Sequence, residues 1–163
     1  MREAVNPRQA VLATSRGKAD ILGKETLKDN IITLSWHSPL SLDPELYGIC
    51  VGKTRFSCKL LKDSKVFAVN FMAHEFKDQV LQCGMLTGAA ADKFAKTGLT
   101  KEDCDTIDCC RIKEASAVLE CEVIEEVETG DHILFIGKVS KTINRDDRKR
   151  LISLGGSRFT TTI

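Results

Sequence analysis

The segment from residue 117 to residue 139 constrains the fold more than any other part of the sequence. From Leu119 to Val127 apolar and acidic residues largely alternate, which is typical of a strand with one face in the core and one face in water. A Gly130-Asp131 pair then precedes a second apolar-rich run at residues 132–139. A glycine between two such runs favours a tight turn, so the sequence predicts an antiparallel hairpin.

Further strands are predicted at residues 10–14, 31–36, 46–52 and 66–71. Helical spacing occurs at residues 57–62, 76–85 and 92–97, the last closed by Gly98. Residues 15–17 are predicted as a turn, residues 100–103 as the capped start of a helical turn, and Pro39 and Pro44 as the bounds of a loop. The prediction is a mainly β fold with helical insertions, in one domain over residues 1–163, whose closure into a small barrel removes exposed strand edges.

The charge balance limits the choice of partners. The chain has 24 Lys and Arg residues against 23 Asp and Glu residues, which gives a net charge of +1. No overall field would recruit nucleic acid or an anionic membrane, so an anion must be held by a local cluster. No apolar run approaches the ~18 residues expected of a membrane span. We therefore predict neither a nucleic-acid partner nor membrane association.

Seven cysteines, an odd number, occur in a sequence whose N-terminus lacks the pattern of a secretory signal peptide. We therefore expect reduced thiols and a cytoplasmic protein. Cys104, Cys109 and Cys110 form a cluster, but their spacing fits neither the usual zinc sites nor a C-x-x-C redox pair. The cluster is interpreted as a loop with small apolar residues, and no metal site is predicted.

Residues 52–57 combine features that suit a phosphate group. Main-chain N–H groups near Gly52 and at the helix start after Phe56 would be joined by Arg55 and by the hydroxyls of Thr54 and Ser57 as donors. A surface loop with an ordinary capping serine is the alternative that the residue types allow.

The sequence resembles the flavin reductase family, in its flavoredoxin and ferric reductase branch. The resemblance rests on four pieces in order: N-x-x-T-x-S-W-x-S-P-x-S-x-D-P at residues 30–44, G-K-T-R-x-S at residues 52–57, F-A-V-N at residues 67–70, and G-D-H-x-L-F-x-G-x-V at residues 130–139. It extends from Asn6-Pro7-Arg8 to the segment 154–159. It implies a Greek-key split β-barrel with helical insertions that binds flavin mononucleotide (FMN), and a homodimer with flavin pockets near the subunit interface.

The resemblance also implies site residues. Residues 33–35 would face the isoalloxazine ring or the ribityl chain, residues 50–52 would line the ring, residues 54–57 would receive the phosphate, and Asn70 would close the pocket. His132 would lie near a nicotinamide, and no catalytic side chain or metal is required. The implied cofactor-binding residues are Thr33, Leu34, Ser35, Trp36, Ser38, Cys50, Val51, Gly52, Thr54, Arg55, Ser57 and Asn70.

Structural alternatives exist for several of these residues. Trp36 would equally serve as a core or interface anchor. Asn70 would also suit a turn cap, and His132 would also suit a hydrogen bond to a backbone carbonyl.

The resemblance implies an FMN-binding oxidoreductase that takes a hydride from NADH or NADPH and passes electrons to free flavin, a ferric chelate or a partner protein. One alternative is a non-catalytic FMN-binding electron carrier or flavin storage protein. A barrel that has lost the flavin and serves as an interaction module is a further alternative.

Overall fold

The structure is a computed structural model that describes residues 4–162, and strands dominate this part of the chain. Three α-helices, all short, are inserted among the strands: α1 (Phe56–Ser64), α2 (Lys77–Met85) and α3 (Lys93–Thr97). The strands are β1 (Arg8–Gln9), β2 (Val11–Ile21), β3 (Lys24–Leu34), β4 (His37–Leu42), β5 (Glu45–Gly52), β6 (Val66–Phe71), β7 (Lys101–Asp103), β8 (Cys110–Ile112), β9 (Ala117–Thr129), β10 (His132–Asn144), β11 (Leu151–Gly155) and β12 (Arg158–Thr161). The mainly β class with helical insertions is confirmed.

Seven strands form one antiparallel sheet in the order β3-β2-β6-β9-β10-β5-β4. The predicted hairpin is present as β9 and β10 at the centre of this sheet. Two smaller sheets lie beside it, with the orders β1-β11-β12 and β7-β8. Neighbouring strands such as β2 and β6 are distant in sequence, so long connections bring them together.

A two-residue link forces the large sheet to curl. Strands β3 and β4 lie at opposite edges of the sheet, yet only Ser35 and Trp36 connect them. In a flat sheet the edges would be about 29 Å apart, because strands are spaced by about 4.8 Å. Three Cα–Cα steps span at most about 11 Å. The sheet therefore closes on itself, and the Trp36 carbonyl accepts a hydrogen bond from Cys50 N–H of β5 at 2.9 Å.

The two faces of the curled sheet carry separate cores. Val11 and Ala13 of β2 join residues of β3, β5, β6, β9, β10 and α1 in the inner cluster. Ala10 and Leu12 point the other way and pack with residues of α2 in the outer cluster. This alternation follows from the two-residue period of a strand.

Strand β2 continues through the residues that the sequence predicts as a turn. Ser15, Arg16 and Gly17 pair with Asn30, Asp29 and Lys28 of β3, respectively. A Cβ atom at Gly17 would lie 2.7 Å from the Leu60 carbonyl oxygen of α1. The glycine is therefore a point where helix and strand approach closely, and not a turn residue.

Two other local predictions are wrong for reasons of pairing. Residues 101–103 form β7 instead of a helical turn, because they pair with β8. Pro39 lies inside β4 and not only at the start of a loop. Its missing N–H is tolerated because β4 is an edge strand.

One acidic residue on the face of the hairpin that the sequence predicts to be exposed to water is buried instead. Glu120 is fully buried, and its carboxylate accepts bonds from the N–H groups of Asp105 at 3.0 Å and Thr106 at 2.8 Å. Arg111 adds an ion pair at 2.8 Å. Burial by itself would raise the pKa of Glu120. The Thr106 hydroxyl also donates to the carboxylate, and this bond, together with the two N–H bonds and the ion pair, lowers the pKa instead. The acidic residue is thus a structural anchor for the chain before β8.

The helices are short. Helix α3 has the predicted ends, since Asp92 accepts a hydrogen bond from Ala95 N–H and Gly98 adopts the left-handed conformation at its C-terminus.

Within residues 4–162, no helix combines the length and the apolar character required to cross a membrane.

Candidate cofactor site

A cleft of about 470 Å³ opens beside the N-terminus of α1. Its walls come from the end of β3 with the Ser35-Trp36 link, the end of β5 and the start of β10. The end of α2, residues 86–88 and Lys93 complete the lining. A volume of this size lies in the usual range of small-molecule sites, about 300–1,000 Å³.

Most of the predicted site residues line this cleft. Barrel closure places the end of β3 near β5, and the register of β5 and β10 places His132 opposite Gly52. Their contacts with a ligand stay predictions. The predicted residues in the lining are Thr33, Leu34, Ser35, Trp36, Cys50, Gly52, Thr54, Arg55, Ser57 and His132.

Ser38 and Val51 do not line the cleft. Ser38 lies exposed on β4, and its hydroxyl donates to the Pro39 carbonyl at 2.9 Å. Val51 is fully buried in the inner core, because its side chain points to the face of β5 opposite that of its neighbour Cys50, which lines the cleft. Contacts of these two residues with a cofactor stay predictions.

Asn70 also lies outside the cleft and has a structural role. Its side chain is fully buried, and Nδ2 donates to the Leu12 carbonyl at 3.0 Å and to Thr14 Oγ1 at 3.1 Å. Its Oδ1 accepts from Ile112 N–H at 2.8 Å. Asn70 therefore joins β2, β6 and β8 and does not cap a turn, while its contact with a cofactor stays a prediction.

Several lining residues were not predicted. Asn30 opens the quoted N-x-x-T motif, which is the one sequence signal that pointed toward it. Lys93 appeared only as part of a short helix, where a lysine is usually solvated. The unpredicted lining residues are Asn30, Ile32, Phe56, Cys83, Gly84, Leu86, Thr87, Gly88 and Lys93.

Asn30, Ser57 and Gly88 form a closely packed corner of the cleft. Asn30 Nδ2 donates to Ser57 Oγ at 2.7 Å, and both side chains are buried. A Cβ atom at Gly88 would overlap the Asn30 side chain. Asn30 Oδ1 is buried without a hydrogen-bond partner among the described residues. A buried polar atom in this state costs free energy unless a ligand or water satisfies it.

Lys93 brings a buried amine to the cleft. Its side chain is 5% exposed, and Nζ donates to the carbonyls of Ile31 at 2.6 Å and Cys83 at 2.7 Å. Burial is the main cause that lowers the pKa of Lys93, and the positive charge of Arg55 adds to this effect. An anion in the cleft would stabilise the charged amine.

The N-terminus of α1 is open toward the cleft. Arg55 precedes the helix, no side chain caps the N-terminal N–H groups, and the first turn contains no acidic residue. Helix N-termini attract anions through these N–H groups and through the helix dipole. Arg55, Lys93 and the α1 N-terminus therefore make one end of the cleft suitable for an anionic group.

Trp36 and His132 form a ring pair in the lining of the cleft, and His132 lies beside Gly52. Their ring centroids are 4.8 Å apart, at an interplanar angle of 36°. His132 Nδ1 lies 2.6 Å from Asp131 Oδ1, which orients the imidazole. The sequence predicts, as an alternative, a hydrogen bond between His132 and a backbone carbonyl. In the structure Nδ1 is bonded instead to the side chain of Asp131.

Comparison with known families assigns the chain. The family model described as the flavin reductase like domain matches residues 2–161. The chain belongs to this family. The predicted resemblance is thereby confirmed over nearly the whole sequence.

Two curated relatives illustrate the range of the family. An uncharacterised protein from Archaeoglobus fulgidus is 38% identical over 119 residues, which cover 73% of this chain and 67% of the relative. The reductase component of a flavin-dependent trigonelline monooxygenase from Acinetobacter baylyi is 30% identical over 107 residues, or 66% of this chain and 33% of the relative. The matched segment thus spans only a third of the second protein.

A solved structure shows the same fold. The FMN-binding protein from Thermus thermophilus, solved with bound 1-cyclohex-2-enone, superposes with a TM-score of 0.84 at 24% identity. The superposition covers 98% of this chain and 88% of the other. The architecture predicted from the sequence, a split β-barrel with helical insertions, is confirmed.

The position of Asn70 generates a prediction about stability. Asn70→Ala leaves the Ile112 N–H buried without its acceptor, so we expect the free energy of unfolding to fall by about 1–3 kcal/mol. Urea unfolding monitored by circular dichroism measures this change. Asn144→Ala, at an exposed position of β10, is the control and should change stability by less than about 0.5 kcal/mol. Equal effects of the two substitutions would contradict the structural role of Asn70.

Proposed function

We propose that this protein is a flavin-dependent oxidoreductase that binds FMN in the cleft beside α1. The observation that carries the proposal is the open N-terminus of α1, which lies with Arg55 and Lys93 at one end of the cleft. A phosphate dianion matches this end, because it accepts several charge-assisted hydrogen bonds. Thr54 and Ser57 add hydroxyl groups to the same region.

The remaining lining suits the rest of an FMN molecule. Asn30 Oδ1 has no hydrogen-bond partner in the described part of the chain, and the ribityl chain of FMN carries hydroxyl donors for it. Gly88 allows the Asn30 side chain to approach the backbone closely, so Oδ1 is held at the wall of the cleft. Trp36 and His132 line the cleft beside Gly52 with a pair of rings, against which a flat aromatic ring system can pack.

The mononucleotide fits better than the dinucleotide. Residues 54–57 provide one compact cluster for one phosphate, and the sequence lacks the G-x-G-x-x-G fingerprint of a Rossmann pyrophosphate site. The name of the Thermus thermophilus protein, which shares the fold, agrees with this choice.

The protein's part in the reaction is to bind, orient and shield. Bound FMN supplies a ring that accepts a hydride and passes electrons on, so no nucleophile or acid–base pair is needed from the protein. We propose NADH or NADPH as the donor, with His132 near the nicotinamide. Free flavin, a ferric chelate or a partner oxidoreductase would be the acceptor. The reductase component from Acinetobacter baylyi supports the reductase assignment by its name.

The phosphate assignment predicts the effect of a single substitution. Arg55→Ala should weaken FMN binding by roughly 10- to 150-fold, because a hydrogen bond to a charged group contributes about 1.5–3 kcal/mol. Fluorescence titration of the apoprotein with FMN measures the dissociation constant. Lys59→Ala is the matched control, since Lys59 is exposed on the same helix and is not part of the cleft lining. Equal dissociation constants for the two variants would place the phosphate elsewhere.

Reduction of the bound FMN by NADH or NADPH distinguishes a reductase from a non-catalytic electron carrier. The FMN-loaded protein is mixed anaerobically with NADH and with NADPH while the oxidised flavin band is recorded. We expect the band to bleach with at least one donor within the time of a catalytic turnover. If neither donor bleaches it while dithionite does, the protein is an electron carrier or storage protein. If the protein does not bind added FMN at all, the remaining alternative is a barrel that has lost the flavin and serves as an interaction module.

We also propose that the protein acts as a homodimer. Leu40 and Leu42 on the edge strand β4 are 44% and 93% exposed, and a two-fold partner would cover such apolar side chains. Sedimentation velocity at micromolar concentration should therefore give twice the mass of the chain. A monomer that still binds FMN tightly would overturn the proposal for the dimer and leave that for the cleft intact.

A further inference from the structure

Two cysteines outside the cleft face one another across a short hairpin. Cys104 directly follows β7, and Cys109 directly precedes β8. The register of the two strands places Asp103 opposite Cys110. Cys104 N–H donates to the Cys109 carbonyl at 2.9 Å, which extends the pairing by one step. Cys104 and Cys109 are therefore a cross-strand pair.

The spacing of such a pair suits a disulfide. Directly opposed residues in antiparallel strands have Cα atoms about 4.5–5.5 Å apart, within the range of about 4.4–6.8 Å that disulfides need. The next pair on the same face supports this geometry, because Glu102 and Arg111 meet in an ion pair at 3.3 Å. The side chains on this face thus point toward each other.

The two thiols differ in exposure. Cys109 is fully buried, and Cys104 is partly exposed. The Cys109 thiol interacts with the sulfurs of Cys104 and Cys110, and these contacts together with burial raise the pKa of Cys109 well above its usual range. An oxidant in the solvent can therefore reach the Cys104 thiol more easily than the Cys109 thiol, which is buried beside it.

We propose that Cys104 and Cys109 are an oxidation site that forms an intramolecular disulfide when the protein meets a hydroperoxide. The site lies outside the lining of the cleft and does not depend on the flavin assignment.

The reaction has two steps and balances with one peroxide per chain. The Cys104 sulfur, after losing its proton to water, attacks a peroxide oxygen, so that an S–O bond forms and the O–O bond breaks. The product is a sulfenic acid on Cys104 and, from hydrogen peroxide, one water molecule. The Cys109 sulfur then attacks the Cys104 sulfur, so that the S–S bond forms, the S–O bond breaks and a second water molecule leaves. Two thiols are oxidised, and one peroxide is reduced to two waters.

Cys109 is the favoured partner over Cys110. Cys109 lies directly opposite Cys104, whereas Cys110 lies opposite Asp103, one position further along the hairpin. The Cys109 thiol gives up only weak hydrogen bonds on oxidation, to the carbonyls of Thr14 at 3.6 Å and Cys110 at 3.5 Å.

The loop between the two cysteines is anchored to the rest of the barrel. The Glu120 carboxylate binds the N–H groups of Asp105 and Thr106, and Arg16 pairs with Asp108 at 2.9 Å. Closure of the bond therefore needs little movement of residues 105–108.

Peptide mapping tests the proposal on the folded protein. The protein is treated with hydrogen peroxide at low molar excess, alkylated under denaturing conditions and digested with trypsin, which releases residues 102–111 with all three cysteines of the cluster. We expect this peptide to lose the mass of two hydrogens, to carry one alkyl group on Cys110, and to resist fragmentation between Cys104 and Cys109. Dithiothreitol before alkylation should restore three alkyl groups.

Two serine variants separate the partners. Cys104→Ser should abolish the disulfide, and Cys110→Ser should retain it. Circular dichroism before treatment shows that each variant is folded, which is expected for Cys104→Ser because that side chain is partly exposed. The proposal is overturned if wild-type protein gives only sulfinic acid or unmodified thiols, or if the Cys110→Ser variant loses the disulfide.

Discussion

The structure depends on the two-residue link between β3 and β4. Ser35 and Trp36 are too short a connection to cross a flat sheet of seven strands, so the sheet must curl until its edges meet. This closure brings the end of β3 against the ends of β5 and β10. The cleft lies at this meeting point, and the link itself is part of its wall. The same constraint that curls the sheet thus creates the site.

The direction of α1 is the second determinant of the site. Gly17 allows the helix backbone near Leu60 to lie directly against β2, at a distance that a side chain would prevent. The helix then packs Cys58 and Leu61 into the inner core, and its N-terminus opens into the cleft. Arg55 and Lys93 reach the same end from different elements, so the electrostatic character of the site arises from the packing of helix on barrel. We consider this end the basis for holding a phosphate.

Buried polar groups divide into two kinds in this protein. Asn70 and Glu120 have their hydrogen bonds satisfied by backbone groups of other strands and loops, so they specify how the segments meet. Asn30 instead has a side-chain oxygen at the cleft without a hydrogen-bond partner among residues 4–162. Residue type alone would not distinguish the two asparagines, since both are almost fully buried.

The sequence by itself determined the mainly β class, the central hairpin, the ends of α3 and most of the residues that line the cleft. Alternating hydrophobicity, turn glycines and helix caps are local signals, and the motif at residues 52–57 keeps its donors together along the chain. Only the tertiary structure decided that Asn70 and Val51 are structural, that residues 15–17 continue a strand, and that Asn30 and Lys93 meet at the cleft. These residues interact with partners far away in sequence, such as Asn70 with Ile112 and Lys93 with Ile31. Their roles depend on which strands become neighbours, and that pairing is set by the closed barrel as a whole.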